Sequence, residues 1–172
     1  MGHRIAGQAQ FKTARLVLRP LRASDEAAAH AALTLPQVAQ WLGSLPTPYT
    51  PQSFRDYLSR ARAGRVWAIA QNATPDMLIG MITLDPDLGY WLAPGAQHQG
   101  FAEEAARIIL IAHFANPDAP PIESGYFLGN LPSARTQSAL GFQTLRLRDV
   151  FCRPRAQILV HVDTILTRPS FT

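Results

Sequence analysis

Leu88-Gly89-Tyr90-Trp91-Leu92-Ala93-Pro94-Gly95-Ala96-Gln97-His98-Gln99-Gly100-Phe101-Ala102 is the stretch from which the fold is read. Its first five residues make a short strand, and Pro94, Gly95 and Gly100 punctuate a loop. A long helix follows, from about Phe101 to Ala115. Residues 108–112 are all apolar, so this helix is packed on a sheet instead of lying at the surface. The first N–H groups of such a helix have no internal partners. With the positive end of the helix dipole they suit an anion such as pyrophosphate. Gly100 lets a phosphate approach the main chain closely, and Ala102 keeps a later position small. An ordinary glycine loop before a helix is the competing reading of this segment taken alone.

Working outward, Arg15-Leu16-Val17-Leu18-Arg19-Pro20-Leu21 alternates as a strand does and is stopped by proline. Ser24-Asp25-Glu26 then opens an alanine-rich helix, with Ser24 as its expected N-cap. A short helix is expected over Pro36 to Leu42. The segment Ser44 to Pro51, with three prolines, is a loop. Thr50-Pro51-Gln52-Ser53 starts a third helix that stops at Gly64. Strands are expected at Val66 to Gln71, Met77 to Leu84 and Leu88 to Leu92. Ile122 to Leu128 is a strand, Pro132 to Leu140 a helix, and Gln143 to Phe151 and Gln157 to Thr164 the last two strands. An antiparallel meander combined with βα crossovers implies an α+β fold: a mixed, mostly antiparallel central sheet flanked by helices. The 172 residues make one domain, with its core at about 13–163.

The bulk composition excludes several classes. A chain of this length buries roughly 70% of its unfolded surface, so no disulfide or metal staple is needed. Cys152 is the one cysteine, and the histidines His3, His30, His113 and His161 lack ligand spacing, so no metal site is expected. His113 reads as a packed core histidine. No run approaches the ~20 apolar residues of a membrane helix. Met1 to Gln10 is a poor secretory signal, and the chain reads as soluble and cytoplasmic, a monomer or homodimer. The net charge is +4, carried by arginines apart from Lys12. This suits an anionic partner, either nucleic acid or a phosphate-rich cofactor. Only Arg146, Arg148, Arg153 and Arg155 cluster, and a solvated surface accounts for the rest.

Gln97, Gly100 and Ala102, in the register glutamine, two residues, glycine, one residue, alanine, resemble the acetyl-coenzyme A signature of the GNAT N-acetyltransferases. The branch they resemble is RimJ/RimL-like. Arg15-Leu16-Val17-Leu18-Arg19-Pro20-Leu21 resembles that branch's first strand. Asn130-Leu131-Pro132-Ser133-Ala134-Arg135, followed by Ala139-Leu140-Gly141-Phe142, resembles its helix after the fifth strand. The resemblance implies a three-layer α/β/α acyltransferase fold. It also implies direct transfer of acetyl from acetyl-coenzyme A to a primary amine of a small molecule or a protein N-terminus. Two departures stand out. His98 replaces a common glycine, and Glu103 puts a negative charge beside the phosphate loop.

The resemblance assigns roles to residues of this sequence. Trp91, Leu92, Gln97, His98, Gln99, Gly100, Phe101, Ala102, Asn130 and Ser133 are the expected cofactor-binding positions. The Leu92 main-chain N–H is the expected donor to the carbonyl oxygen. Ser133 is the expected acid for the leaving thiolate, with Tyr126 as fallback, although Ser133 reads equally as a capping residue. Asn130 reads either as a hydrogen-bond partner of the pantetheine arm or as a turn residue beside Gly129. Asp85, Asp87 and Glu123 are the candidate bases, the first two also reading as turn residues around Pro86.

Two other functions remain open at the level of sequence: a non-catalytic coenzyme A-binding module on the same fold, and a nucleic-acid-binding module resting on the arginine cluster. No nucleic-acid partner is expected once an anionic cofactor accounts for the charge. Helices 24–43 and 50–63 are expected to line the acceptor side. Asp56 is the only acid between residues 27 and 75, which favours a peptide or neutral-bodied amine over a polycation.

Overall fold

The computed structural model describes residues 10–171; the N-terminal segment read as a poor signal, with His3, lies outside them apart from Gln10. Five strands, β1 (Phe11–Lys12), β2 (Leu16–Arg19), β3 (Val66–Gln71), β4 (Gly80–Leu84) and β5 (Leu88–Leu92), lie in chain order in one antiparallel sheet. A second antiparallel sheet holds β6 (Ile122–Phe127), β8 (Gln157–Leu166) and β7 (Gln143–Cys152), with β8 central. The α+β class therefore holds, but the central layer is two sheets side by side, joined where β5 meets β6.

Five helices cover them: α1 (Glu26–Leu33), α2 (Pro36–Ala39), α3 (Pro51–Arg60), α4 (Phe101–Phe114) and α5 (Leu131–Ala139). The period of two along β3 places Trp67 and Ile69 in a core built with α4, while Ala68 joins a second core with Ala29, Leu33, Val38 and Phe54. Helices thus pack on both faces, giving three layers. Within the apolar run of α4, Ile109 and Leu110 are completely buried, but Ile111 is exposed, so the helix buries one face and not its whole circumference as expected. His113 packs in the core with its Nε2 2.8 Å from the Pro120 carbonyl oxygen.

Two local expectations change. Ser24 does not cap α1. Asp25 takes that region over: its carboxylate accepts from the Arg22 N–H at 2.8 Å and, bidentately, from the Arg19 guanidinium at 2.9 and 2.7 Å. Both partners of that ion pair are at most 2% exposed. The same guanidinium donates to the carbonyls of Pro75 and Asp76. It holds residues 75–76 in a turn, so β4 starts at Gly80 and not at Met77. The short strand β1 was not legible, being two residues long and flanked by no alternation.

A buried pair stripped of one partner leaves an uncompensated charge. Asp25→Ala is expected to lower the unfolding free energy by about 3–5 kcal/mol, read from the midpoint of a urea titration.

Candidate active site

The two sheets touch at one end and part at the other. At the closed end the Ser124 hydroxyl donates to the Leu88 carbonyl at 2.8 Å, bridging β5 and β6 with a side chain where no backbone ladder exists. Gln137 of α5 donates to Ser124 Oγ (3.1 Å) and to the Gly125 carbonyl (3.0 Å), and accepts from Thr164 of β8 (2.6 Å). Toward the C-terminal ends of β5 and β6 a cleft of about 1220 Å³ opens between them.

Strand parity decides which main-chain groups enter that cleft. The Ala93 N–H bonds to Ile79, on the β4 side, whereas the carbonyls of Leu88 and Leu92 accept from Ser124 and from the Gln97 side chain. Groups on alternate residues of a strand point the same way. The N–H of Leu92 therefore faces the gap and not the β4 ladder. Tyr90, between Leu88 and Leu92, shares their side-chain face and packs on the α4 core. Trp91 points the other way, into the core formed with α1 and α3, while still lining the cleft.

The loop before α4 is shaped by two residues with positive φ, His98 (61°) and Gly100 (76°). Gly100 is the N-cap residue of α4, and a Cβ there would meet nothing closer than an Arg15 guanidinium nitrogen at 3.5 Å. The left-handed backbone, more than crowding, makes glycine the suitable residue. Gln97 locks the loop to the end of β5 through its 3.0 Å bond to the Leu92 carbonyl. Gln97, His98, Gly100, Phe101 and Ala102 all line the cleft. Gln99 does not; its amide turns back to the Gly95 carbonyl at 2.8 Å.

Both acids in the first turn of α4 are neutralised. Glu103 pairs with Arg107 at 2.9 Å, so the charge expected to oppose an anion is balanced one turn away. Glu104 accepts from Thr13 (2.6 Å) and Arg15 (2.6 Å), and those bonds hold its carboxyl below the ordinary value although burial acts against them. Arg15 also donates to the Gln99 carbonyl (2.9 Å) and lies 4.6 Å above the Phe101 ring. It clamps the loop to β2, a role not legible before the fold brought residues 15 and 104 together.

Ser133 is not a cap. Asn130 caps α5, its Oδ1 accepting from the Ser133 N–H at 3.4 Å, and it lines the cleft as well. The Ser133 hydroxyl is thereby left to meet the Tyr90 hydroxyl at 3.0 Å. Burial raises the Tyr90 pKa against the opposing hydrogen bonds from Ser133, Gln137 and Thr136, so the phenol stays protonated at neutral pH. Tyr126 lines the cleft, but Tyr90 is the tyrosine that reaches Ser133. Nothing local singles out Tyr90; its parity with Leu88 and Leu92 on β5 is the signal that places it there.

The far end of the cleft is formed by Val38, Trp41 and Leu42 after α1, by Phe127 of β6, by Val150, Phe151 and Arg153 at the end of β7, and by His161 of β8. Helix α3, expected here, contributes no lining residue. Asp85, Asp87 and Glu123 are also absent from the lining, and Asp85 instead pairs with Arg62 at 3.3 Å. Among the described residues no carboxylate lines the cleft. Two members of the arginine cluster, Arg146 and Arg148, are taken by Asp163 at 2.8 and 2.7 Å. Burial alone would raise the Asp163 carboxyl, but bonds from Arg148, Arg146 and His161 outweigh it and bring it from 3.8 to about 2.

The family of the acetyltransferase (GNAT) domain matches residues 15–143 of this chain. An acetyltransferase of the GNAT family from Bacillus anthracis superposes with a TM-score of 0.79 at 17% identity, covering 91% of this chain and 97% of that one. Ribosomal-protein-S5-alanine acetyltransferase from Vibrio fischeri gives 0.73 at 17% identity, over 95% and 98% of the two chains. Mycobacterium smegmatis RimJ, in complex with CoA-disulfide, gives 0.70 at 20% identity, over 90% and 82%. At such identities the likeness is one of fold. No curated protein matches the chain.

Asp163 has a folded pKa below its ordinary value, so its contribution to stability is present above about pH 4 and is lost as pH falls toward about 2. The stability gap between the natural protein and Asp163→Asn is expected to be full at about pH 6 and to close across that window, measured by denaturant titration at each pH.

Proposed function

Because this chain belongs to the GNAT acetyltransferase family, we propose that it moves the acetyl group of acetyl-coenzyme A to a primary amine, in the manner of the RimJ/RimL-like branch. The observation that carries this reading is a single cleft that joins the N-terminus of α4 to the Tyr90–Ser133 hydroxyl pair. Acetyl-coenzyme A supplies an activated acyl group as a thioester and a pyrophosphate by which it is held. The loop fits that pyrophosphate: the left-handed Gly100, the small Ala102 and the unpaired N–H groups opening α4 form an anion cradle from which the nearby carboxylates have been removed by pairing.

Three tasks then fall to residues of this chain. The Leu92 N–H, turned into the gap, is positioned to donate to an oxygen that gains negative charge. The Tyr90 hydroxyl, kept protonated by burial and oriented by Ser133, holds the proton that a departing thiolate takes up. Asn130 holds an amide-bearing arm beside the α5 N-terminus, its Oδ1 spent on the cap and its NH₂ free to donate. The acceptor enters from the aromatic end, which bears Arg153 and no carboxylate among the described residues. This suits a peptide N-terminus or a neutral-bodied amine better than a polyamine, because a polycation would find like charge there.

Calorimetry is expected to show saturable binding of acetyl-coenzyme A, abolished by Gly100→Glu, which adds a charge to the cradle and a side chain at positive φ; absence of binding by the natural protein overturns the reading. Tyr90→Phe is expected to lower kcat by about 100-fold with binding retained. In a thiol-release assay an unblocked alanyl peptide is expected to turn over faster than spermidine, and the reverse order overturns the acceptor assignment.

A further inference from the structure

The acceptor amine reaches neutral water mostly as an ammonium, whose α-amino or lysine pKa is roughly 8 or 10. Something must take its proton before the nitrogen can attack. None of the carboxylates singled out from the sequence lines the cleft. Of the cleft-lining side chains only His98 and His161 are imidazoles, the side-chain type suited to general-base work, and His98 belongs to the loop before α4, at the phosphate end.

His161 lies at the acceptor end. It stands opposite Phe127 in the β6–β8 register, and the two rings meet edge to face with centroids 5.1 Å apart. Gly125 makes room for the imidazole, since a Cβ there would collide with its Cε1. The ring is only 19% exposed, and its Nδ1 lies 2.7 Å from Asp163 Oδ1. Asp163, two residues on, shares the same face of β8 and is itself fixed by Arg146 and Arg148. An ionised carboxylate can only accept, so Nδ1 carries the hydrogen and the neutral ring keeps its lone pair on Nε2. Nε2 has no hydrogen-bond partner among the described residues.

We propose that His161, oriented by Asp163, is the catalytic base that deprotonates the acceptor ammonium; this rests on the transfer reaction proposed above. The N–H bond of the ammonium breaks, a bond from that hydrogen to Nε2 forms, and the electron pair stays on the amine nitrogen for the new amide bond. The thiolate leaves with a proton from the Tyr90–Ser133 pair, the second proton shed by the nitrogen as it becomes an amide restores that pair through water, and the imidazolium returns its proton to water. Asp163 is a positioning residue that also balances the transient positive charge. The charged groups facing His161 are Asp163 on its own strand, and Arg148 and Arg146 across the ladder on β7. Arg153 lines the same cleft, and β6 sets the uncharged Phe127 and Gly125 beside the ring, with Glu123 two residues before Gly125 on the same face.

The natural protein and His161→Gln are assayed with acetyl-coenzyme A and an unblocked alanyl peptide, alongside calorimetry of acetyl-coenzyme A alone. The expected result is a loss of kcat of about 100-fold or more at neutral pH, with acetyl-coenzyme A binding within about threefold. The deficit shrinks above about pH 9, where the amine deprotonates by itself. A variant that keeps its kcat, or loses it equally at every pH, overturns the proposal. If the natural protein binds acetyl-coenzyme A but acetylates no amine, or fails to bind it, the reaction itself falls and the base with it. An independent readout is the His161 tautomer in the ¹⁵N-labelled protein. Nδ1–H with an unprotonated Nε2 at neutral pH supports the proposal, and the opposite tautomer overturns it whatever the activity.

Discussion

The Ser124 hydroxyl on the Leu88 carbonyl holds together a molecule whose sheet is deliberately unfinished. A normal ladder between β5 and β6 would close the gap and leave no room for a substrate. With no contact at all, each strand would present an unpaired edge to the other. One side-chain bond at the closed end, backed by Gln137 and Thr164, fixes the hinge while leaving the rest of the seam apart. Ser124, Gln137 and Thr164 are all buried, and buried polar groups persist only when satisfied. Each of the three finds its partner in another, so the network spans β5, β6, α5 and β8 with no loose end.

The geometry of the cleft follows from that seam. Because β5 turns the main chain of Leu88, Tyr90 and Leu92 away from β4, the groups released by the missing ladder become the groups lining the gap. The same parity sends the Tyr90 side chain toward α5, where Asn130 has already taken the capping task and left the Ser133 hydroxyl available. On the opposite face, Trp91 lines the cleft, and Phe127 meets the His161 ring edge to face. The two ends of one cleft thus differ in chemistry because they lie on opposite faces of the same split sheet.

Charge is arranged with similar economy. Glu103 and Glu104 stand at the N-terminus of α4, where acids help a helix but repel an incoming phosphate. Arg107 and Arg15 remove that conflict locally, and Arg15 additionally stitches the loop to β2. At the other end, Arg146 and Arg148 look in sequence like a basic patch. Asp163 accepts from both, and the carboxylate they fix is the one that bonds His161.

Most strand and helix positions were legible from composition and punctuation, because the short apolar run at 66–70, closed by the turn residues after Gln71, suits a strand buried on both faces. The shape of the loop before α4 was legible too, since Gly100 before a buried helix is a local signal, and a left-handed backbone is a local property. Met77 was assigned to a strand because the constraint that excludes it, the Arg19 guanidinium on the Pro75 and Asp76 carbonyls, comes from more than fifty residues away. Ser133 was ambiguous for a related reason: a serine near a helix start looks the same whether it caps or reacts, and only the distant Tyr90 separates the two. The sequence by itself determined most of the elements, the antiparallel-rich class and the glycine-bearing turn before α4, all of which depend on neighbours within a few residues. Tertiary structure alone decided where the sheet splits, which hydroxyls meet, and that His161, bonded to Asp163, lines the cleft while Asp85, Asp87 and Glu123 do not. Those outcomes depend on pairings between strands far apart in the chain, which no local spacing encodes.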